Sequence, residues 1–399
     1  MKKTAFLWIV GLGLGLLIPA IPAHSEVGVS NNEIRIGGIV DLSGPIAFMG
    51  KGVRDGALLY FKFINDQGGV YGRKINYIVE DDNYQGPRAV AAAKKLVTKD
   101  QVFCLFMILG SLQTNALYPA MEKEGVPVLL PATQTRDMGI PPKKYLFHAD
   151  TSYTTQAKIA VEYIVEELKD KKPRIGVLYQ DDLPGQDWLR GARIAAKHYG
   201  FELVAEESYK RGAIDFSPQV AKLNSAKADY VIMWTLVREP AAILKEAMRI
   251  QYKPLWITST ASADNRVIGL AGEAAYFGKG FLATGIAHNV LVEDTPKIRE
   301  FKESIKKFQL GDVNNFYNWY GYGHGTTLIE GLKRTGKDLT REGLIKALET
   351  FKEYENGVLS PVTWGPNLRA GGTSILMHKA EKGLWLPFGV WRKSKIPED

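Results

Sequence analysis

Cross-linking and metal-binding residues are scarce in this chain. Its single cysteine, Cys104, cannot make an intramolecular disulfide. That cysteine lies inside an apolar segment, Val102 to Phe106, and reads as an inert core thiol. The six histidines stand apart at positions 24, 148, 198, 288, 324 and 378, so the spacing of a zinc cluster is missing. Neither a Gly-x-Ser-x-Gly elbow nor a His-Glu-x-x-His pair occurs, which removes the commonest hydrolase and metalloprotease signatures. The segment Gly331 to Lys337 fits the start of a phosphate loop, but Asp338 stands where Ser or Thr must hold magnesium. Gly336 is more simply a helix C-cap. Charge of one sign is in small excess, with 51 basic and 43 acidic side chains and a net charge of +8. Those charges are interspersed, as in Lys169-Asp170-Lys171-Lys172, so the clustered basic stripe of a nucleic-acid reader is absent. No cofactor or metal is implied.

The main apolar run, Ala5 to Leu17, is about thirteen residues long. A bilayer-spanning helix needs roughly 20, and Pro19 and Pro22 interrupt any continuation. Lys2 and Lys3 precede the run and Ala23-His24-Ser25 follows it, with small residues at the -3 and -1 positions. This is the pattern of a cleavable export signal over residues 1–25, with cleavage before Glu26. The alternative, an uncleaved anchor, is disfavoured by the short run and by the lack of a charged stop after it. A lipoprotein needs a cysteine at the cleavage site, and Cys104 is far from it. Loss of Lys2 and Lys3 lowers the charge from +8 to +6.

What remains is long enough for two domains, and no low-complexity linker divides it. Short β-branched or aromatic runs alternate with helical patterns, the signature of parallel sheets covered by helices. Strands are expected at Ile34–Val40, Ile75–Val79, Val102–Leu109 and Pro127–Leu130, with helices between them. A second unit begins with a helix at Tyr153–Leu168. Its strands are expected at Arg174–Tyr179, Glu202–Glu207, Tyr230–Trp234, Leu255–Thr258 and Gly280–Thr284. Helices at about Pro296–Phe308, Trp319–Lys333 and Arg341–Leu348 follow. The end, at Val358–Trp364, Ser374–Lys379 and Trp385–Trp391, reads as strands.

Ligands of open parallel sheets sit outside the carboxyl ends of the strands. The loops expected there are 41–50, 81–88, 110–113, 131–136, 180–185, 234–239 and 258–265. In the second of them, Glu80-Asp81-Asp82 reads as a solvated or helix-capping group before it reads as a metal site. Gly110-Ser111-Leu112-Gln113-Thr114 passes from strand to helix, so its N–H groups and hydroxyls suit a carboxylate. The alternative reading makes Ser111 an N-cap and nothing more. Pro131 to Thr135 ends another strand of the same half and offers polar side chains.

At this point the residues carry a family resemblance. The segments Ile34–Pro45 (IRIGGIVDLSGP) with Gly50 after it, and Phe63–Arg73 (FINDQGGVYGR), resemble periplasmic solute-binding proteins of type I. The likeness is to the branched-chain amino acid and amide group that serves ABC transporters. Glu80-Asp81-Asp82, Gly110-Ser111, Leu130 to Ala132, Asp215-Phe216 and Pro361 to Gly365 match in the expected order.

The resemblance implies an α/β fold, the periplasmic binding protein type I fold, with two doubly wound parallel-sheet lobes joined by a three-crossover hinge. Lobe 1 would hold residues 26–149 and 286–355, and lobe 2 residues 150–285 and 356–399. The crossovers would fall near Ala149–Thr151, Gly285–His288 and Glu355–Leu359. A ligand would be trapped by closure of the lobes. Ser111 and the loop Ala132, Thr133 and Gln134 would hold its carboxylate and amine, with Phe48 and Met49 against its side chain. Ser43, Leu112, Tyr153, Asp182, Trp234, Arg238 and Thr260 complete the expected contacts. Lobe 2 departs from the family pattern, with Thr260 where an acid usually meets the ligand ammonium and Pro184 where an aromatic is common. Asp264 or Asp182 could substitute if the loops are shifted, and Arg238 hints at an anionic or carbonyl-bearing ligand.

The implied protein is a non-enzymatic, monomeric periplasmic carrier. It would deliver an amino acid, amide or small carboxylate to an inner-membrane ABC permease, without touching nucleic acid. A sensory role, presenting ligand to a membrane receptor, is the alternative.

Overall fold

The computed structural model describes residues 26–397, so the expected export signal lies outside the described residues. The first half runs β1 (Glu33–Val40), α1 (Ala47–Asp66), β2 (Lys74–Asp81), α2 (Gly86–Thr98), β3 (Cys104–Phe106), α3 (Ser111–Lys123), β4 (Val128–Leu129) and β5 (Leu146–Thr151). The second unit runs α4 (Tyr153–Glu162), β6 (Ile175–Gln180), α5 (Leu183–Tyr199), β7 (Ala205–Tyr209), α6 (Ser217–Ser225), β8 (Tyr230–Trp234), α7 (Glu239–Arg249), β9 (Leu255–Thr258), α8 (Asn265–Ala271) and β10 (Gly280–Gly285). Then come α9 (Pro296–Phe308), α10 (Phe316–Thr335), α11 (Arg341–Leu348), β11 (Ala370–Gly372), β12 (Ser374–Glu381) and β13 (Leu384–Lys393).

These strands form two sheets. One has the order β11-β5-β4-β3-β1-β2 and the other β13-β12-β10-β9-β8-β6-β7. Every pairing in the first is parallel, and in the second only the pairings of β12, with β10 and with β13, are antiparallel. The order reverses within each sheet, so helices cover both faces and the strands read as buried apolar runs. Most helices supply one apolar stripe to this plan, while α4 is buried on every side. In α1, Val53, Ala57, Tyr60, Phe61 and Ile64 recur at helical spacing and are all buried, each large side chain contributing roughly 1.5–3 kcal/mol.

Three findings differ from the sequence expectation. Strand β5 was not expected, because Leu146 to Thr151 carries His148 and Asp150 inside a buried run. The segment Val358–Trp364 forms only isolated bridges, to Ala287 and to Tyr354 and Gly372. Residues 356–399 were expected to belong wholly to the second lobe, yet β11 pairs with β5 in the first sheet while β12 and β13 extend the second. Thr151 ties this return to the first crossover by donating to the Ser374 carbonyl at 2.6 Å. Near Gly285–His288 the chain runs antiparallel beside Val358–Ser360. His288 N–H donates to Val358 O and Ser360 N–H to Ile286 O, each at 2.8 Å.

Candidate functional site

The carboxyl ends of both sheets face one cleft, and its first-lobe wall is built by backbone constraints. Gly110 takes φ +107°, and a Cβ there would sit 2.3 Å from Gln113 Oε1, so only glycine fits this turn. Gly110 N–H donates to Ala132 O (3.2 Å) and Ala132 N–H to Ile108 O (2.8 Å), which lashes the two loops together. Gly110 occupies the N-cap position of α3 and Ser111 is the first helical residue. The N-cap reading of Ser111 is thereby corrected. Its hydroxyl faces Thr133, with 2.6 Å between Oγ and Oγ1, and the first N–H groups of α3 have no intrahelical acceptor.

Behind this wall lies a buried polar cluster. Gln134 Nε2 donates to Asp150 Oδ2 (3.0 Å) and lies 3.2 Å from the Tyr320 hydroxyl. Tyr320 also donates to Asp150, and His324 Nε2 is 3.2 Å from Asp150 Oδ1. Burial alone would raise the Asp150 pKa. The charge and hydrogen bond of His324, with further help from His148 and Tyr320, outweigh it and hold the carboxyl below its ordinary value. His148 Nε2 in turn meets Thr133 O at 2.7 Å. The cluster therefore braces both Thr133 and Gln134.

The opposite wall is aromatic and polar but carries no charge. Tyr153 at the start of α4 meets Trp234 at the end of β8 edge-on, with centroids 5.5 Å apart. Thr260 follows β9, its N–H held by Gln156 Oε1 at 3.1 Å. The Thr260 Oγ1 and Trp234 Nε1 atoms are buried and have no hydrogen-bond partner. Unpaired polar atoms in a cavity wall are the mark of a place where a ligand or water completes the bonding. Between the walls lies a chamber of about 50 Å³. It is ringed by Tyr84, Tyr153, Trp234, Phe316, Tyr317 and Tyr320. Burial raises the pKa of Tyr153, Tyr317 and Tyr320, so these phenols are neutral donors. No Asp, Glu, Lys, Arg or His lines this chamber.

Of the residues expected to touch ligand, Met49, Ser111, Ala132, Thr133, Gln134, Tyr153, Trp234 and Thr260 meet around the chamber. Phe48 and Arg238 instead line a neighbouring space. Three expectations are corrected. Leu112 is 55% exposed, because one step along α3 turns it away from Ser111. Ser43 is used up bracing the loop after β1 through its hydroxyl contact with Asp81 at 2.5 Å. Asp182 caps α5 through Gly185 N–H (3.2 Å) and binds Arg211 (3.2 Å), and it does not line the chamber. Asp264 is likewise committed, to Arg266 at 2.8 Å.

Tyr84, Phe316, Tyr317 and Tyr320 were missed. The aromatic density of Phe316–Tyr320 was the available signal, but aromatics at a helix start read as ordinary core. The acidic run Glu80–Asp82 serves the scaffold. Glu80 pairs with Lys95 at 2.5 Å, and Asp81 accepts from Leu42 N–H at 2.8 Å. Among the described residues no group of three His, Cys, Asp or Glu side chains is placed to hold a metal. Burial pushes the Cys104 thiol up to about 12, which leaves it unreactive.

Two doubly wound lobes facing one cleft define a bilobal solute-binding protein. Residues 33–383 match the periplasmic binding protein family, and the chain belongs to it, in the type I fold. A leucine-, isoleucine-, valine-, threonine- and alanine-binding protein of Pseudomonas aeruginosa is 24% identical over 321 residues, 80% of this chain and 83% of that one. The Leu/Ile/Val-binding protein of Escherichia coli is 24% identical over 335 residues, 83% of this chain and 86% of that one. Among solved structures, a branched chain amino acid ABC transporter protein from Thermus thermophilus with bound valine superposes with a TM-score of 0.83 at 22% identity. It covers 92% of this chain and 98% of that chain. A fatty acid ABC transporter substrate-binding protein from Thermomonospora curvata gives 0.81 at 24% identity, covering 94% and 96%. Among the described residues no helix is long and apolar enough to cross a membrane.

Proposed function

We propose that this protein is the periplasmic solute-binding component of an ABC transporter. It takes a small amino-acid-like or carboxylate-bearing solute between lobes 26–149 with 286–355 and 150–285 with 356–399. Part of 356–399, the β11 strand, serves lobe 1. The observation that carries this reading is the first-lobe wall, where the Ser111–Thr133 hydroxyl pair stands at the open N-terminus of α3. The relatives bearing Leu/Ile/Val-binding names, and the valine-bound relative of the same fold, support the same class of solute.

Lobe closure buries the solute and creates the surface that a permease reads. This reading gives the protein no chemistry of its own, which agrees with a chamber lining without Asp, Glu, His, Cys, Lys or Arg. It works as a freely diffusing monomer after removal of residues 1–25, with no nucleic-acid partner. The test is a thermal-shift screen over amino acids, amides and carboxylic acids, followed by titration of the hits into Ser111→Ala and Gln134→Ala. A true ligand at about 100 times its Kd adds roughly 2.7 kcal/mol of stability. If both variants bind the hits as tightly as the wild type, the cleft is not the site.

A further inference from the structure

The aromatic chamber is only part of the space between the lobes. Ile46, Met49, Tyr84 and Leu236 line it and also line a second chamber. The second holds about 410 Å³, against about 50 Å³ for the first. Both lobes build it. Pro45 and Phe48 come from the loop and helix after β1, while Phe216, Val237 and Ala242 come from the far side. Its rim carries Ile214, which is 90% exposed. An exposed isoleucine alone means little. Here it borders an apolar space that opens into the ligand chamber, and the loop holding it is anchored by Arg211, which bridges to Asp182 and lies 4.9 Å over the Tyr84 ring.

Two features of the joined space restrict the solute. The first chamber contains no carboxylate, so a buried α-ammonium would have no charged partner there. Glu239, the one acid in either lining, belongs to the second chamber. An α-ammonium is attached one carbon from its carboxylate and so stays beside Ser111. The second feature is size. A branched-chain side chain has three or four carbons and leaves the larger, apolar chamber empty.

Resting on the solute-binding reading above, we propose that the two chambers form one elongated site for a carboxylic acid with an extended alkyl or aryl body and no α-ammonium. Its carboxylate meets Ser111, Thr133 and the α3 N-terminus. The body passes the collar of Ile46, Met49, Tyr84 and Leu236 into the second chamber, and Arg211 and Arg238 stand at the outer edge of the site.

Calorimetric titration of the mature protein with butyrate, octanoate, 4-phenylbutyrate and L-leucine tests this. Octanoate and 4-phenylbutyrate are expected to bind at least tenfold tighter than leucine. Affinity in the unbranched series should rise by roughly fourfold per methylene until the chamber is full. Ala242→Trp and, independently, Ala213→Trp, at two alanines that line the second chamber and not the first, place bulk in the second only. Each is expected to weaken octanoate and 4-phenylbutyrate by about tenfold or more while butyrate is unchanged. Unaltered melting temperatures show that the variants fold. Leucine binding tighter than both long acids, or long acids that bind both tryptophan variants normally, overturns the elongated site. An unchanged response of all four probes to Ser111→Ala overturns the underlying placement of the carboxylate instead, so the two failures are separable.

Discussion

The two walls of the cleft do different work. The first-lobe wall is a braced polar surface, in which Ser111 and Thr133 face the chamber while Asp150, His324 and Tyr320 fix Gln134 from behind. The second-lobe wall presents Tyr153, Trp234 and Thr260 and no charge. On the proposed reading the first wall meets a polar head, and the other packs against part of the body that follows. The head then meets the first lobe alone, whereas the body packs against both lobes, since Pro45 and Phe48 share the second chamber with Phe216, Val237 and Ala242.

The largest effect that breaks this contrast is expected at Asp150. Asp150→Ala strips a buried cluster of its only carboxylate and leaves His324, Tyr320 and Gln134 facing one another. A loss of about 3–5 kcal/mol in a denaturant titration is expected, with solute affinity falling too because Gln134 loses its brace. Loss of affinity at unchanged stability would show that the cluster does not hold the fold.

Acid should act on the other sheet as well as on the His148–Asp150 strand. His378 in β12 is buried against the second crossover, where its Nδ1 meets Leu376 O at 2.9 Å. Burial lowers its pKa from 6.5 to about 4. The unfolded chain therefore takes up the proton first, so the contribution is complete above pH 6.5 and is lost as pH falls towards about 4. About 3 kcal/mol should disappear over that window. His378→Gln should flatten the corresponding slope in urea midpoints measured against pH.

Ser111→Ala should cost about 1.5–3 kcal/mol of solute affinity, the worth of a hydrogen bond to a charged group. Thr260→Val, on the uncharged wall, should cost clearly less, and calorimetry of the pair measures the asymmetry directly. Smallest of all, Ser43→Ala and Leu112→Ala should each change affinity by less than about 0.5 kcal/mol. A larger effect from Leu112→Ala would mean that the helix start is rotated from the arrangement described.

Most of this fold is legible in the chain, because its strands are buried on both faces and most of its helices on one. Tyr230–Trp234, Leu255–Thr258, Pro296–Phe308 and Arg341–Leu348 end where their patterns end. The exceptions share a cause. His148 and Asp150 make β5 look polar, and only Thr133, Gln134, Tyr320 and His324, some of them far along the chain, supply the partners that let such residues be buried. The site divides in the same way. Ser111 is visible because a strand, a glycine and a helix meet there, whereas Phe316, Tyr317 and Tyr320 look like core until α10 is seen to begin against the cleft.

Local pattern thus determined the two α/β units and the hydroxyl-bearing turn at Gly110-Ser111, while the missing acid at Thr260 showed only against the family resemblance. The first two depend on periodicity, on the conformation only glycine tolerates and on residue type, all of which are written along the chain. The tertiary structure decided what the acids and aromatics do. It turned Asp182 and Asp264 to caps and ion pairs, gathered six rings into one chamber and opened that chamber into a larger apolar one. Side-chain partners and empty volume are set by segments that are remote in sequence, and no periodicity encodes them.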